Sequence, residues 1–257
     1  MPLQLTRAAL LALILICPAV PRAGDLPRYI EAAVADPARP AQQRQYDQAR
    51  RPRQLLSFAE VAPGQRVADF MSGGGYFTRL FSRVVGARGH VYAFLPSEQL
   101  AHCAPAEVAG TRALQQDSRY ANVSVLSGPV AHFGVPEPLD LVWTSLNFHD
   151  LYDSFMGPAD VPAVLASLYA ALKPGGVLVI VDHAAAAGSG LRDTETLHRI
   201  DPAVIIAAAT AAGFRLQARS DVLRNSGDSH ELPVFAAAVR GHTDQAILKF
   251  RRPPNDQ

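Results

Sequence analysis

Side chains that could do chemistry are concentrated in two short segments in the second half of the chain. Asn147, His149 and Asp150 lie in the stretch TSLNFHDLYDSF, and Asp182 and His183 end the apolar run GVLVIVDH. Histidine titrates near neutral pH, so it can take up or release a proton during a reaction. The pattern predicts a catalytic group of His149, Asp150 and Asn147. The alternative is a loop histidine that only shapes a pocket.

A second candidate segment, ADFMSGGGYFTRL, places an acid and three consecutive glycines between an apolar run and a helical pattern. Asp69 ends the apolar run, and Gly73, Gly74 and Gly75 leave the turn without β-carbons. A ligand can then contact the backbone, and the next helix offers its free N–H groups. The segment predicts a ligand-binding loop, although a tight turn can require glycine for its φ angles alone.

Alternating strands and helices must position both segments. Buried strands are predicted at 66–70, 89–95, 122–128, 139–146 and 176–183, with helices between most of them. This alternation is typical of an α/β protein whose parallel sheet is covered on both faces. Ligands of such sheets bind beyond the carboxyl ends of the strands, where both candidate segments fall.

The composition excludes some classes of partner. The 257 residues are 49% hydrophobic, enough for a full core, and the formal net charge is only +1. Because the basic residues are scattered, no nucleic acid is expected as a partner. The expected partner is a small-molecule substrate. The oligomeric state is not predicted.

The first 23 residues have the pattern of an export signal. Arg7 precedes an apolar stretch over 8–20, and a small residue, Ala23, ends the segment. We therefore expect a periplasmic or secreted protein with no membrane span after cleavage. The alternatives are an uncleaved anchor and a lipid-modified Cys17. If the signal is removed, Cys103 is the remaining cysteine, and a small part-buried apolar role is expected for it.

An N-terminal helical arm is predicted over 24–64, followed by a domain over 65–257. Within the arm, helices are expected at 41–50 and 52–60, because Pro52 suits a first helical position and Pro63-Gly64 ends the second helix. The arm's charged residues predict a solvated helix face: Arg44, Asp47, Arg50, Arg51 and Arg53.

The glycine loop, followed at this distance by LKPGGVLVIVDH, resembles the class I S-adenosylmethionine-dependent methyltransferases. The resemblance spans about 65–252 and includes AAGF and QAILKFRRP. More narrowly, LDLVWTSLNFHDLY and LHRIDP resemble an exported bacterial branch of predicted methyltransferases. The resemblance implies a Rossmann-like, mostly parallel seven-stranded sheet with an antiparallel last strand, and S-adenosyl-L-methionine as cofactor.

The resemblance also implies roles for single residues. Asp69 matches the acid that holds the methionine amino end of the cofactor, and Gly73 and Gly75 match glycines of the cofactor loop. Met71 stands where that loop usually has its first glycine. An acid normally ends the second strand and binds the ribose, whereas here Leu95 stands there and Glu98 is the nearest carboxylate. An acid that contacts adenine is also replaced, by the Gly128-Pro129 stretch.

Three functions stay open at this point. They are methyl transfer to an unidentified small-molecule or protein acceptor, a non-catalytic periplasmic ligand-binding protein, and an enzyme of another reaction class that reuses the pocket. Some small-molecule O-methyltransferases carry metal ligands after these strands, which would correspond to Asp150, Asp182 and His183. Without a tight spacing motif, no metal is predicted. Two polar loops contain four further residues: His198, Asp201, Asp228 and His230. Asp201, before Pro202, is interpreted as a helix N-cap and the loop of Asp228 and His230 as a turn, and the alternative is a rim that faces the substrate.

Overall fold

The computed structural model describes residues 26–254, which form a seven-stranded sheet between helices. The strands are β1 (Arg66–Phe70), β2 (His90–Pro96), β3 (Val123–Gly128), β4 (Leu139–Ser145), β5 (Leu172–His183), β6 (Arg215–Ser220) and β7 (Gln245–Arg251). Their order is β3-β2-β1-β4-β5-β7-β6, and all neighbours are parallel except β7, which runs antiparallel to β5 and β6. The predicted fold class is confirmed.

Ten α-helices occur in the described part of the chain. They are α1 (Arg28–Ala35), α2 (Ala41–Arg44), α3 (Asp47–Arg50), α4 (Pro52–Phe58), α5 (Tyr76–Val85), α6 (Ser97–His102), α7 (Pro105–Arg112), α8 (Val161–Ala171), α9 (Thr194–Leu197) and α10 (Pro202–Ala211). Proline at the first turn and an Asp side chain that accepts a backbone N–H start both α8 and α10.

Alternate residues of the central strands enter two separate cores, one on each face of the sheet. In β4, Leu141 and Trp143 pack in the core under α1, α4 and α5, while Val142 packs in the core under α8 and α10. All three side chains are almost fully buried. A parallel sheet buried on both faces explains why its strands read as continuous apolar runs.

The strand order reverses at β1, which lies between β2 and β4. The loops after β1 and β4 therefore diverge from adjacent strand ends and leave a crevice between them. Both candidate segments of the sequence begin at this crevice.

The N-terminal arm packs against α5. Arg39 is buried and donates to both carboxylate oxygens of Asp47, at 2.8 and 2.7 Å, and the Tyr76 hydroxyl donates to the same carboxylate at 2.6 Å. The helix predicted over 41–50 is wrong as one unit: it forms α2 and α3 with a break between them. Helix α1 was not predicted, and α4 agrees with the prediction except at its C-terminal end.

The predicted signal segment, residues 1–23, lies outside the described residues. Within residues 26–254, no helix is long and apolar enough to cross a membrane.

Candidate functional site

A cavity of about 310 Å³ opens at the crevice between the loops after β1 and β4, and the arm forms its third wall. The glycine loop, the loop after β4, α6 and the arm all contribute side chains or backbone. The lining residues are Gln43, Tyr46, Arg50, Met71, Ser72, Gly73, Gly74, Tyr76, Gln99, Ser145, Leu146, Asn147 and Asp150. The volume is within the range of small-molecule sites.

The glycine loop is held from behind by hydrogen bonds to its carbonyl groups. The Thr111 hydroxyl donates to the Gly73 carbonyl at 2.6 Å, and Arg79 donates to the Gly74 carbonyl at 3.0 Å. Gly73 has a φ of 50° and open space where a Cβ would be. The loop therefore presents Gly73 and Gly74 to the cavity in a fixed conformation.

Gly75 has a different position from the one predicted, because it does not line the cavity. A Cβ on Gly75 would lie 2.8 Å from the Thr111 hydroxyl and 3.0 Å from the Arg79 guanidinium, and its φ is 75°. Gly75 is thus required by backbone conformation and by close packing against α7.

Asp69 is buried at the end of β1 and accepts a hydrogen bond of 2.5 Å from the Thr78 hydroxyl. Burial raises the pKa of Asp69 to about 7, although hydrogen bonds from Thr78 and the charge of Arg50 oppose the rise. Near neutral pH the carboxyl is therefore close to its midpoint of ionisation. A nearby cationic ligand would favour the ionised form.

Arg50, predicted as part of a solvated face, instead lines the cavity. Its guanidinium lies over the Tyr76 ring, 4.7 Å from the centroid, and 5.8 Å from the centroid of Tyr46. In the described part of the chain, its side chain forms no ion pair or hydrogen bond within bonding distance. Burial lowers the pKa of Arg50, but an arginine stays charged. The cavity therefore contains a cation held by two aromatic rings and free to bind an anion.

Glu98 does not reach the cavity, which corrects its predicted role. Both of its carboxylate oxygens accept the backbone N–H of Val130, at 3.1 and 3.0 Å. The next residue, Gln99, lines the cavity instead, and its buried side-chain oxygen has no hydrogen-bond partner among the described residues. The side-chain oxygen of Gln43, on the arm, is likewise without a partner there. Two amide oxygens can thus accept hydrogen bonds from ligand hydroxyls.

Asn147 connects the two loops of the crevice. Its amide donates to the Met71 carbonyl at 2.7 Å and its oxygen accepts from the Thr144 hydroxyl. Met71 itself has a φ of 60°, a left-handed conformation at the position where a glycine was expected. Asn147 therefore fixes the glycine loop. Its side chain lines the cavity, but its amide nitrogen and oxygen already form hydrogen bonds within the protein.

His149 is buried between two carboxylates. Its Nδ1 lies 2.9 Å from Asp182, whose other oxygen accepts the His149 backbone N–H, and its Nε2 lies 3.0 Å from Asp150. Burial disfavours the charged ring, but the Asp182 and Asp150 carboxylates together raise the pKa of His149 well above its ordinary value. Of the predicted catalytic group, Asp150 and Asn147 line the cavity, whereas His149 lies behind Asp150.

The other candidate residues lie outside the cavity lining. His183 bonds Thr243 rather than meeting Asp150, and burial lowers its pKa to about 4. Asp201 caps α10 through the Ala203 N–H. Asp228 forms a fully buried ion pair with Arg199, which joins the two polar loops. A substrate rim formed by these loops stays a prediction.

Residues 68–180 match the family model of a methyltransferase domain. The chain is 25% identical over 189 residues to the ubiquinone/menaquinone biosynthesis C-methyltransferase UbiE of Vibrio campbellii, which covers 73% of this chain and 62% of the relative. It is 31% identical over 132 residues to the 2-phytyl-1,4-naphtoquinone methyltransferase of Synechococcus elongatus, which covers 51% of each chain. The chain thus spans less than two thirds of the length of these relatives.

The fold is also similar to solved structures. An S-adenosylmethionine-dependent methyltransferase from Mesorhizobium loti superposes with a TM-score of 0.55 at 17% identity, which covers 80% of this chain and 100% of the other. At this identity the similarity describes the fold alone.

Proposed function

This chain belongs to the class I S-adenosylmethionine-dependent methyltransferase superfamily, and we propose that it transfers a methyl group from S-adenosyl-L-methionine to a small-molecule acceptor. One observation carries the proposal. The cavity at the strand-order reversal combines a glycine loop, the Arg50 cation and two amide oxygens, on Gln43 and Gln99, and within residues 26–254 neither the cation nor the two oxygens have a hydrogen-bond or ion-pair partner.

The polar groups in and next to the cavity fit the polar groups of this cofactor. Arg50, in the lining, suits its carboxylate, and ionised Asp69, buried at the end of β1 where the glycine loop begins, suits its ammonium group. The oxygens of Gln43 and Gln99 suit the ribose hydroxyls. They would replace the acid that usually binds the ribose, because Leu95 stands at that position in this chain. Because each orphaned oxygen is buried, a hydroxyl that pairs with it removes a desolvation cost of about 1–3 kcal/mol.

When bound, the cofactor would supply an electrophilic methyl group, and the electron pair of its bond to sulfur would stay on sulfur as the acceptor's nucleophilic atom takes the methyl group. Asp150 is the group in the cavity wall that can take the acceptor's proton, and His149 holds it in place from behind. The names of the two quinone methyltransferase relatives suggest hydroxylated quinols as the first acceptors to screen.

The test is transfer of a labelled methyl group from the cofactor to a panel of quinols, phenols, thiols and amines. Arg50→Met should raise the KM for the cofactor about ten- to a hundredfold, the equivalent of one lost charge-assisted contact. Arg44→Met is the matched control, since Arg44 is exposed on the same arm and does not line the cavity. Cofactor binding without transfer to any acceptor would favour the non-catalytic binding protein.

A further inference from the structure

Four side chains that can ligate a metal meet at and behind the cavity wall, and the proposed methyl transfer uses only two of them, Asp150 and its partner His149. His149, Asp150 and Asp153 come from the turn after β4, and His198 comes from the loop after α9. Each offers one ligand atom, and these atoms all lie within 4.8 Å of one another. We propose that the four residues form a binding site for a divalent first-row transition-metal ion such as Zn²⁺.

Asp153 is the independent sign of a ligand. The residue is 1% exposed, and neither carboxylate oxygen has a partner with hydrogen-bond geometry among the described residues, because the neighbouring Thr194 hydroxyl donates to the Leu191 carbonyl at 3.2 Å. A buried carboxylate without partners is costly, and proteins normally pair such a group or use it to bind a metal. The closest histidine nitrogen, Nδ1 of His198, lies 3.9 Å from Asp153, which leaves the carboxylate directed into the cluster without a bond.

His149 is held as a metal-ligating histidine usually is. Its Nδ1 bonds to Asp182, which leaves Nε2 directed toward Asp150 and the cluster. A carboxylate that accepts from one ring nitrogen fixes the tautomer and the orientation of the other, metal-binding nitrogen. Asp182 has no exposed surface, so it serves His149 from outside the ligand set.

The donor set selects the class of ion. Two imidazoles and two carboxylates suit zinc and neighbouring transition metals, whereas magnesium and calcium prefer oxygen ligands alone. Ligand bonds of about 2.0–2.2 Å bring the donor atoms of a zinc site to roughly 3–4 Å from one another, so small side-chain movements would close the cluster. Because Asp150 also lines the cavity, the ion would border the space where an acceptor is expected.

The sequence patterns do not predict that these four residues form a cluster. His198 is 45 residues from Asp153 in the chain, and a left-handed φ of 54° after α9 directs the loop back toward the turn that follows β4. His230 provides a matched histidine elsewhere. It also has a left-handed φ, of 63°, and a carboxylate neighbour, Asp244, and its side chain is 25% exposed compared with 30% for His198.

The experiment is a calorimetric titration of the untagged, chelator-treated full chain with Zn²⁺, together with visible absorption after addition of Co²⁺. We expect one ion per chain and the intense bands of low-coordinate cobalt. His198→Asn and Asp153→Asn should weaken Zn²⁺ binding at least tenfold, whereas His230→Asn should stay within about twofold of wild type. Asparagine tolerates the left-handed backbone at both histidine positions.

Folding of the variants is checked by thermal melting without metal. Asp153→Asn should melt no lower than wild type, since it replaces a buried carboxyl, whose ionised form burial disfavours, by a neutral amide, and it should lose the rise in melting temperature that Zn²⁺ gives the wild type. The proposal is overturned if the wild type binds no Zn²⁺, or if His198→Asn and Asp153→Asn bind it as tightly as wild type. Neither outcome depends on methyl transfer.

Discussion

Replacing Asp69 by asparagine should remove one contribution through which the stability of the ligand-free chain falls as the pH rises. The folded pKa of Asp69, about 7, is above its ordinary value of 3.8 because the carboxyl is buried. The folded state therefore holds this proton more tightly than the unfolded state. The stability that Asp69 contributes is fully present below pH 3.8 and is lost as the pH rises to about 7.

The size of the effect follows from the difference of about 3 pKa units between the two states. At about 1.36 kcal/mol per unit, the wild type should lose about 4 kcal/mol of unfolding free energy through this group as the pH rises from about 4 to 7. Asparagine at position 69 does not titrate, so the unfolding free energy of Asp69→Asn should rise relative to wild type by up to about 4 kcal/mol between about pH 4 and pH 7. Urea unfolding at half-unit pH steps measures the difference directly.

Asp36→Asn is the control for this measurement. Burial of Asp36 is outweighed by hydrogen bonds from the Ala38 N–H and Arg83, which together lower its pKa. Its contribution is therefore present above pH 3.8 and is lost only at lower pH, so its difference from wild type should be flat between pH 5 and 8. A flat difference curve for Asp69→Asn over that range would refute the assignment of a protonated, buried Asp69.

Two further substitutions and one sequencing experiment have defined outcomes. Gly75→Ala should lower the melting temperature more than Gly64→Ala, because both add strain at positive φ but only Gly75 would also contact Thr111 at 2.8 Å; equal losses would contradict the packing role. His149→Ala should cost about 3–5 kcal/mol of unfolding free energy in urea, since it leaves Asp182 and Asp150 without their partner, and a loss below 1 kcal/mol would argue against this buried ion network. N-terminal sequencing of the protein from its native host should begin near Gly24, and an intact Met1 or Pro2 would contradict export.

The sheet could be predicted from the sequence because its signals are local. Apolar runs bounded by glycine and proline mark β1 and β5, and the observed strand over 66–70 has the predicted limits. Helix α1 was not predicted from the sequence. Its apolar face is short and lies in a polar arm, and the reason for that face is its packing on α5, a tertiary contact that the local pattern does not reveal. Local pattern therefore fixed the elements of the domain better than those of the arm.

The candidate site could be predicted in part. Gly73, Gly74, Asn147 and Asp150 line the cavity because strand ends converge there, whereas Asp69 is buried at the end of β1, outside the lining. Arg50 and Gln43 were missed because they enter the cavity only through docking of the arm. Glu98 was assigned in place of its neighbour because the hydrogen bonds of its carboxylate to Val130 are a tertiary contact that spacing does not reveal.

Calorimetric titration of the full chain with S-adenosyl-L-methionine and with its demethylated product tests directly whether the cavity binds the cofactor. We expect one site per chain for both ligands, with affinity that rises with pH through about 7 as Asp69 ionises, and a loss of about tenfold or more in Arg50→Met. Absence of binding of either ligand to the folded chain at millimolar concentration would contradict the assignment of this cavity as a cofactor site.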